Sequence, residues 1–277
     1  MMCNGEVNIK YKGRYGNNLF MYFAARIYAE QHSLNLKADI PDKYFSINEP
    51  ESLGGNQRQL KNYEIGDDDY DEQGNLPYHG VGSYRFFGLF QKEETLFQNR
   101  EKILSWVNLD FEKQDTCTIH LRLDDYYIQR RSLVINTDYW IHCIEKHADV
   151  YDKINIVCEK PKQVWEFNYL SNLMSRIKEL NKKPIYVPGS MSEDIEKIMM
   201  SNCIITSNST FCFWPAFFSK AEKIISFPHT GVDLMADDTT EIWEGDVQVF
   251  KHNQGPYELS HSFSDNPAEY FERPSWT

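Results

Sequence analysis

The sequence predicts an α/β protein built on parallel β-sheet, and two observations carry that prediction. From residue 116 to residue 227, short apolar runs alternate with stretches of helical periodicity, as successive right-handed βαβ units require. Those runs are apolar along their whole length rather than at every second position, as expected of strands covered on both faces. Length adds a bound: 277 residues, at ~100–200 per domain, allow one large domain or two small ones.

The elements follow in chain order. Residues 7–11 (VNIKY) read as a strand, then a glycine turn, then a helix over 17–32 with Leu19, Phe20, Phe23, Ala24, Ile27 and Tyr28 on its apolar face. Residues 40–80 are rich in Pro, Gly, Asn and Asp and read as loops. The acidic run Asp67, Asp68, Asp69 falls there and reads as solvated, because no apolar strand leads into it. Residues 116–121 (TCTIHL) form a buried strand, 136–148 a helix and 154–158 (INIVC) the next strand. A helix over 162–180 is carried by Val164, Phe167, Leu170, Leu173 and Ile177, and 185–187 is a short strand. Ser192 is expected to cap the following helix, with Glu193 and Asp194 in its first turn and Ile195, Ile198 and Met199 buried. Residues 203–206 (CIIT) and 224–227 (IISF) are strands on either side of one more helix. This gives an N-terminal α/β domain over 1–114, a second over 115–250, and a tail over 251–277 that carries Pro256, Pro267 and Pro274 and wraps the surface.

Composition narrows the function classes. Lys and Arg number 29 against 41 Asp and Glu, a net charge of −12, which disfavours a phosphate-backbone partner and so excludes duplex nucleic acid. Aromatic residues are 14% of the chain, enough for a sizeable core. No run approaches the ~18 apolar residues of a membrane span, and the first residues lack an apolar signal core. The six cysteines (3, 117, 143, 158, 203, 212) form no C-x-x-C pair and read as buried thiols of a reducing compartment. A soluble, cytoplasmic chain without a metal centre is the expectation.

In open parallel sheets, ligands bind beyond the carboxyl ends of the strands. Three strand-to-helix junctions qualify here. The first holds Gly13, Arg14, Gly16 and Asn17: the glycines permit positive φ and close backbone approach, which suits either a tight turn or helix amides holding an anion or a sugar hydroxyl. The second holds His120, Arg122, Asp124 and Asp125. His120 and Arg122 share one strand parity, and Arg122 can clamp a diphosphate through parallel N–H···O bonds. Asp125 can orient Arg122 or take a proton, and Asp124 is the second choice; the bland alternative is a surface loop in which Arg122 pairs with Asp124. The third runs through Ser207, Asn208, Ser209, Thr210 and Phe211, where hydroxyls and amides meet at a helix amino terminus, as a phosphate site and a plain helix cap both require. Asp194 can face a nucleotide base or simply serve its helix dipole. No G-x-S-x-G and no H-E-x-x-H is present.

Four blocks carry a family resemblance. GRYGNNLFMYFAAR (13–26), FGLFQKEETLF (87–97), HLRLDDY (120–126) and SEDIEKIMMSNCIITSNSTFCFWPAFF (192–218) resemble, in order, the motifs of the α-1,2-fucosyltransferases of glycosyltransferase family 11. More remotely they resemble those of the α-1,6- and protein O-fucosyltransferases. The resemblance implies a GT-B-like architecture of two Rossmann-like domains facing a cleft. It implies inverting, metal-independent transfer from a nucleotide sugar, typically GDP-fucose, to a hydroxyl of a glycan acceptor. On it, Arg122 holds the donor diphosphate and His120 lies near the nucleotide. Ser207, Asn208, Ser209, Thr210 and Phe211 stand beside the phosphates, Gly13 and Gly16 shape the donor turn, and Asp194 falls within the fourth block. Asn17 matches the asparagine that approaches the reacting centre in the protein O-fucosyltransferases. Arg122, Asn17, Asp125 and Asp124 are thus the candidate catalytic residues. The sequence departs from the family at Leu123, which replaces a second arginine, and at Asp124, which replaces a glycine. That departure keeps open a UDP- or dTDP-linked donor, or a relic that binds without turnover.

Overall fold

The computed structural model describes residues 5–41, 44–53, 60–123, 134–135, 137–207, 209–226, 239–244 and 247–252. The chain divides into two compact units, Met1–Asp110 and Phe111–Thr277. No helix among the described residues is long and apolar enough to cross a membrane.

Unit 1 runs β1 (Gly5–Ile9), α1 (Tyr15–Gln31), β2 (Asn35–Lys37), β3 (Asn62–Ile65), β4 (Gly82–Phe86), α2 (Glu93–Gln98) and α3 (Arg100–Ser105). Its four strands form a wholly parallel sheet in the order β2-β1-β4-β3. Val7, Ile65, Tyr84 and Phe86 share one face and pack on Met21, Ala24, Ala25 and Tyr28 of α1. The opposite parity is polar: Glu6 Oε1 accepts from Ser83 Oγ at 3.0 Å and from Asn8 Nδ2 at 3.3 Å. One strand corrects the loop reading of residues 40–80: β3 lies within that range, and β4, just after it, was not read as a strand either. Each buries only alternate residues, so neither shows a continuous apolar run. The acidic run is exposed at Asp68 and Asp69, as a solvated loop requires, but it is ordered by its own carboxylates. It forms a 3₁₀ turn in which Asp67 accepts the amides of Leu89 (2.8 Å) and Phe90, and Asp69 accepts that of Gly66 at 2.7 Å.

Unit 2 runs β5 (Gln114–His120), α4 (Thr137–His147), β6 (Lys153–Val157), α5 (Val164–Glu179), β7 (Lys183–Tyr186), α6 (Met191–Met200), β8 (Ser201–Ile205), α7 (Thr210–Phe218), β9 (Lys223–Ser226), β10 (Thr239–Glu244) and β11 (Val247–His252). The seven strands lie in the order β10-β11-β9-β8-β5-β6-β7, parallel except for the β10–β11 pair. Cys117, Ile119, Ile154, Ile156, Cys203 and Ile205 meet Trp140, Ile144, Trp165, Leu173 and Ile177 of α4 and α5 in its core. A buried relay joins two helices to a loop: Trp140 Nε1 donates to Tyr169 Oη at 2.7 Å, which donates to the Ile135 carbonyl at 2.6 Å.

One cap differs from expectation. Ser190, not Ser192, starts α6: its Oγ accepts the Glu193 amide at 3.3 Å, and Glu193 Oε2 accepts the Ser190 amide at 2.6 Å. The reciprocal pair needs Glu three residues after the cap, a spacing only Ser190 has. The tail expected over 251–277 lies outside the described residues beyond His252.

Both sheets reverse direction once. In unit 2 the chain builds outward from β5 through β6 and β7, then returns to place β8 and β9 on the other side of β5. In unit 1, β2 and β4 flank β1 in the same manner. Loops diverge at such a switch point and leave a crevice at the strands' carboxyl ends. The crevices are thus β5/β8 in unit 2 and β1/β4 in unit 1.

Candidate functional site

At the β5/β8 switch point a buried polar pair joins the two strand ends. Ile119 registers with Ile205, so the residues leaving both strands face one another. His120 Nδ1 lies 2.8 Å from Ser207 Oγ; His120 is 4% exposed and Ser207 fully buried. The pair joins two segments 87 positions apart in sequence. Burial, helped by the Arg122 charge, pushes the His120 pKa down to about 3. The imidazole is therefore neutral at physiological pH, a hydrogen-bonding anchor rather than a cation. Phe211 lies beside it, ring centroids 5.5 Å apart.

The amino end of α7 is organised by its own side chains. Ser209 is the cap, its Oγ accepting the Phe211 amide at 3.3 Å, and Thr210 opens the helix. The Cys212 thiol faces the carbonyls of Ser209 and Ser207 at 3.1 and 3.5 Å. Burial pushes that thiol up to about 12, so it serves as a proton donor to those carbonyls and not as a nucleophile. Both sequence readings of this junction, cap and anion site, are compatible with this geometry; Asn208 lies outside the described residues.

Arg122 stands just past the last ladder bond of β5, Leu121 N–H to the Val157 carbonyl at 2.8 Å. The strand ends at His120, so strand parity does not govern where Arg122 points. Its Nη1 donates to Glu159 Oε1 at 3.3 Å, and Glu159 Oε2 lies 3.4 Å from Lys162 Nζ. Glu159, beyond the end of β6, was missed in the sequence because it belongs to no motif. Asp124 and Asp125 lie outside the described residues. Leu123, which stands where the motif that the HLRLDDY block resembles has a second arginine, is 6% exposed and belongs to the apolar core.

Asp194 lies in the first turn of α6, with Cys158, Tyr186 and Lys197 among its neighbours. Burial raises its pKa from 3.8 to about 6, against the opposing pull of Lys197 and with a smaller push from Glu193. A carboxyl raised on folding supplies stability that is fully present below its unfolded pKa and lost as pH climbs through about 6. Asp194→Asn removes that loss. Its melting temperature relative to wild type is therefore expected to rise between pH 4 and pH 7, by no more than about 3 kcal/mol in stability. A difference that is flat across that range would refute the assignment.

The β1/β4 crevice brings the first two sequence blocks together. Gly13 has φ +85°, and a Cβ there would collide with Asn17 Nδ2, so glycine is required on both counts. Gly16 is different from expectation: it is buried as the second residue of α1, not part of a positive-φ turn. Asn17 Oδ1 accepts from Gln91 Nε2 at 2.9 Å. Gln91 follows a turn in which Gly88 has φ +124° and Phe90 φ +53°, and the Asp67 carboxylate holds that turn through two amides. Asp67 and Gln91 are thus positioning residues for Asn17. Gln91 was legible as part of a block; Asp67 looked like any acidic loop residue.

No protein-family model matches the chain, and no curated protein matches it. Among solved structures it is similar to the bacterial iron-containing dodecameric glycosyltransferase TibC from enterotoxigenic E. coli H10407, at 10% sequence identity and a TM-score of 0.38. The likeness covers 82% of this chain and 59% of that one, so the chain spans less than two thirds of that protein's length.

Proposed function

We propose that this chain is a glycosyltransferase that moves a sugar from a nucleotide-sugar donor to a hydroxyl of a glycan acceptor, with GDP-fucose as the donor. One observation carries the reading. The buried His120–Ser207 bond ties the end of β5, two residues before Arg122, to the segment that leads into α7, at the switch point of the sheet. A nucleotide diphosphate needs that combination: a guanidinium fork and helix amides for its charge, and a fixed floor beneath. The four sequence blocks and their resemblance to the fucosyltransferases supply the sugar, and the GT-B-like architecture belongs to the same proposal.

In this reading transfer proceeds with inversion and without a metal ion. The acceptor hydroxyl attacks C1 of the sugar as the diphosphate leaves, and Arg122 with the α7 amides meets the growing negative charge. His120, with a pKa near 3, is too weak a base for the acceptor proton and instead fixes Ser207. That leaves Asp125, then Asp124, as proton acceptor. On the resemblance, Ser207 to Phe211 serve the phosphates and Asp194 the base, while Gly13 shapes the donor turn and Asn17 matches the asparagine of the reacting centre. The enzyme works as a soluble cytoplasmic protein.

The test is a thermal-shift panel of GDP, UDP, dTDP and GDP-fucose with EDTA present. A nucleotide at ~100 times its Kd adds about 2.7 kcal/mol, a plainly visible shift. Stabilisation by GDP and GDP-fucose supports the reading. Stabilisation by UDP or dTDP alone overturns the donor, and no shift with any nucleotide overturns the transferase. The core position of Leu123 favours one second reading, nucleotide binding without turnover. It predicts GDP-fucose binding with no sugar delivered to any acceptor.

A further inference from the structure

We infer that Glu159 reads the ribose of the nucleotide, so that this site takes a ribonucleoside diphosphate and discriminates against its 2′-deoxy counterpart. The inference rests on the nucleotide reading above and adds a residue and a selectivity to it.

The argument begins with topology. β5 is the first strand of the doubly wound sheet and β6 the second, paired directly with it. In such a sheet the phosphates sit at the end of the first strand, and the ribose extends over the carboxyl end of the second. An acidic side chain there takes the ribose hydroxyls. Glu159 lies two residues past Val157, the last residue of β6. Its carboxylate is 3.3 Å from Arg122, the diphosphate candidate, so one carboxylate oxygen already marks where phosphate recognition ends.

Its chemistry fits a vicinal diol. A carboxylate only accepts hydrogen bonds, and its two oxygens offer about four lone-pair sites. Here Arg122 approaches Oε1 and Lys162 Nζ lies 3.4 Å from Oε2. Each oxygen therefore retains capacity for one ribose O–H without giving up its cation. The side chain is 52% exposed, open to an incoming ligand, whereas Arg122 is 12% exposed. A carboxylate in that place also repels a 2′- or 3′-phosphate.

A competing role is that Glu159 only steadies Arg122. The two roles separate in a binding experiment on the full chain. Calorimetric Kd values are measured for GDP against 2′-deoxy-GDP, and for UDP against 2′-deoxy-UDP, on wild type, Glu159→Ala, Glu159→Gln and Arg122→Ala. Expected for wild type is about tenfold weaker binding of the 2′-deoxy member of whichever pair binds, the worth of one half-exposed charge-assisted hydrogen bond. Glu159→Ala is expected to weaken the ribonucleotide alone and bring the ratio near one, with Glu159→Gln between. Arg122→Ala is expected to weaken both members and keep the ratio. Equal binding of both members by wild type overturns the inference and leaves the nucleotide site standing. So does an equal loss for both members in Glu159→Ala, which assigns Glu159 to positioning. Binding of dTDP but of neither pair overturns the inference and leaves a nucleotide site standing, and binding of no nucleotide by folded wild type, dTDP included, overturns the nucleotide site and the inference with it.

Discussion

Arg122→Ala is expected to lower sugar transfer by on the order of 10²–10³ while shifting the melting temperature little. The large effect follows from the scarcity of positive charge at the β5/β8 crevice. His120 is neutral there, held so by burial, and cannot replace a missing cation. The α7 amides supply only a partial charge. In a reaction without a metal ion, Arg122 is the planar fork proposed to meet the leaving diphosphate, while Lys162, on the other oxygen of Glu159, is a point charge without that geometry. The small stability effect follows from its partner. Glu159 is 52% exposed and keeps Lys162 when Arg122 is removed, so no buried charge is stranded. An ion pair of that exposure is worth roughly 0–1 kcal/mol. Arg122→Lys restores the charge without the planar fork and is expected to recover only part of the rate. Single-turnover rates and melting curves on all three proteins check this. A rate loss matched by an equal collapse in stability would mean that Arg122 is structural. Full activity in Arg122→Ala would move the phosphate site elsewhere.

How far the sequence revealed this molecule depended on how each element is buried. β5, β6, β8 and β9 lie within the doubly wound sheet of unit 2, so their apolar runs are continuous and were read within a residue or two. Helix α5 announced itself by periodicity and α6 by its buried Ile195, Ile198 and Met199, whereas α7 is apolar nearly throughout and was placed by the strands on either side of it. Unit 1 hid β3 and β4 because one face of its sheet is polar: Asn62, Glu64, Ser83 and Arg85 interrupt every apolar pair. Three junctions were legible as loops beyond strands, but not which of them meet. The His120–Ser207 bond spans 87 positions and the Gln91–Asn17 bond 74, and only sheet order brings such residues together. Glu159 and Asp67 were invisible for a different reason. Each is a single acid in polar sequence, distinguished by its partners and not by its neighbours.

Arg26 shows the same limit in the core, and it carries the largest expected effect on stability. The helical reading of α1 counted its apolar face and passed over this arginine, which is 3% exposed. Three of its five N–H donors have acceptors within hydrogen-bonding distance. Nη1 donates to the Asn48 carbonyl at 2.5 Å and to Tyr22 Oη at 3.2 Å, and Nε donates to Glu30 at 3.3 Å. Its guanidinium lies 4.2 Å from the centre of the Trp106 ring. One side chain thus ties α1 to the 44–53 segment and to the end of α3. Arg26→Ala leaves the Asn48 carbonyl and the Tyr22 hydroxyl without this donor and opens a cavity beside Trp106. Glu30 is 36% exposed and keeps Lys102, so no buried charge is stranded; the lost hydrogen bonds and the cavity together cost about 3–4 kcal/mol. Arg26→Met fills the volume but donates nothing, so it is expected to recover the packing share and not the polar share. The two units allow a local readout by hydrogen exchange. Amides of α1 are expected to exchange on the order of 10²–10³ faster in Arg26→Ala, as that energy loss implies where opening is limited by the stability of unit 1. Amides of β5 and β8, in the other unit, are the internal control. Unchanged protection in α1 would show that the buried guanidinium is dispensable and that its desolvation cancels its contacts, which is the outcome a buried charge permits when its geometry is poor. Four partners at hydrogen-bonding or ring-contact distance argue that here the geometry prevails.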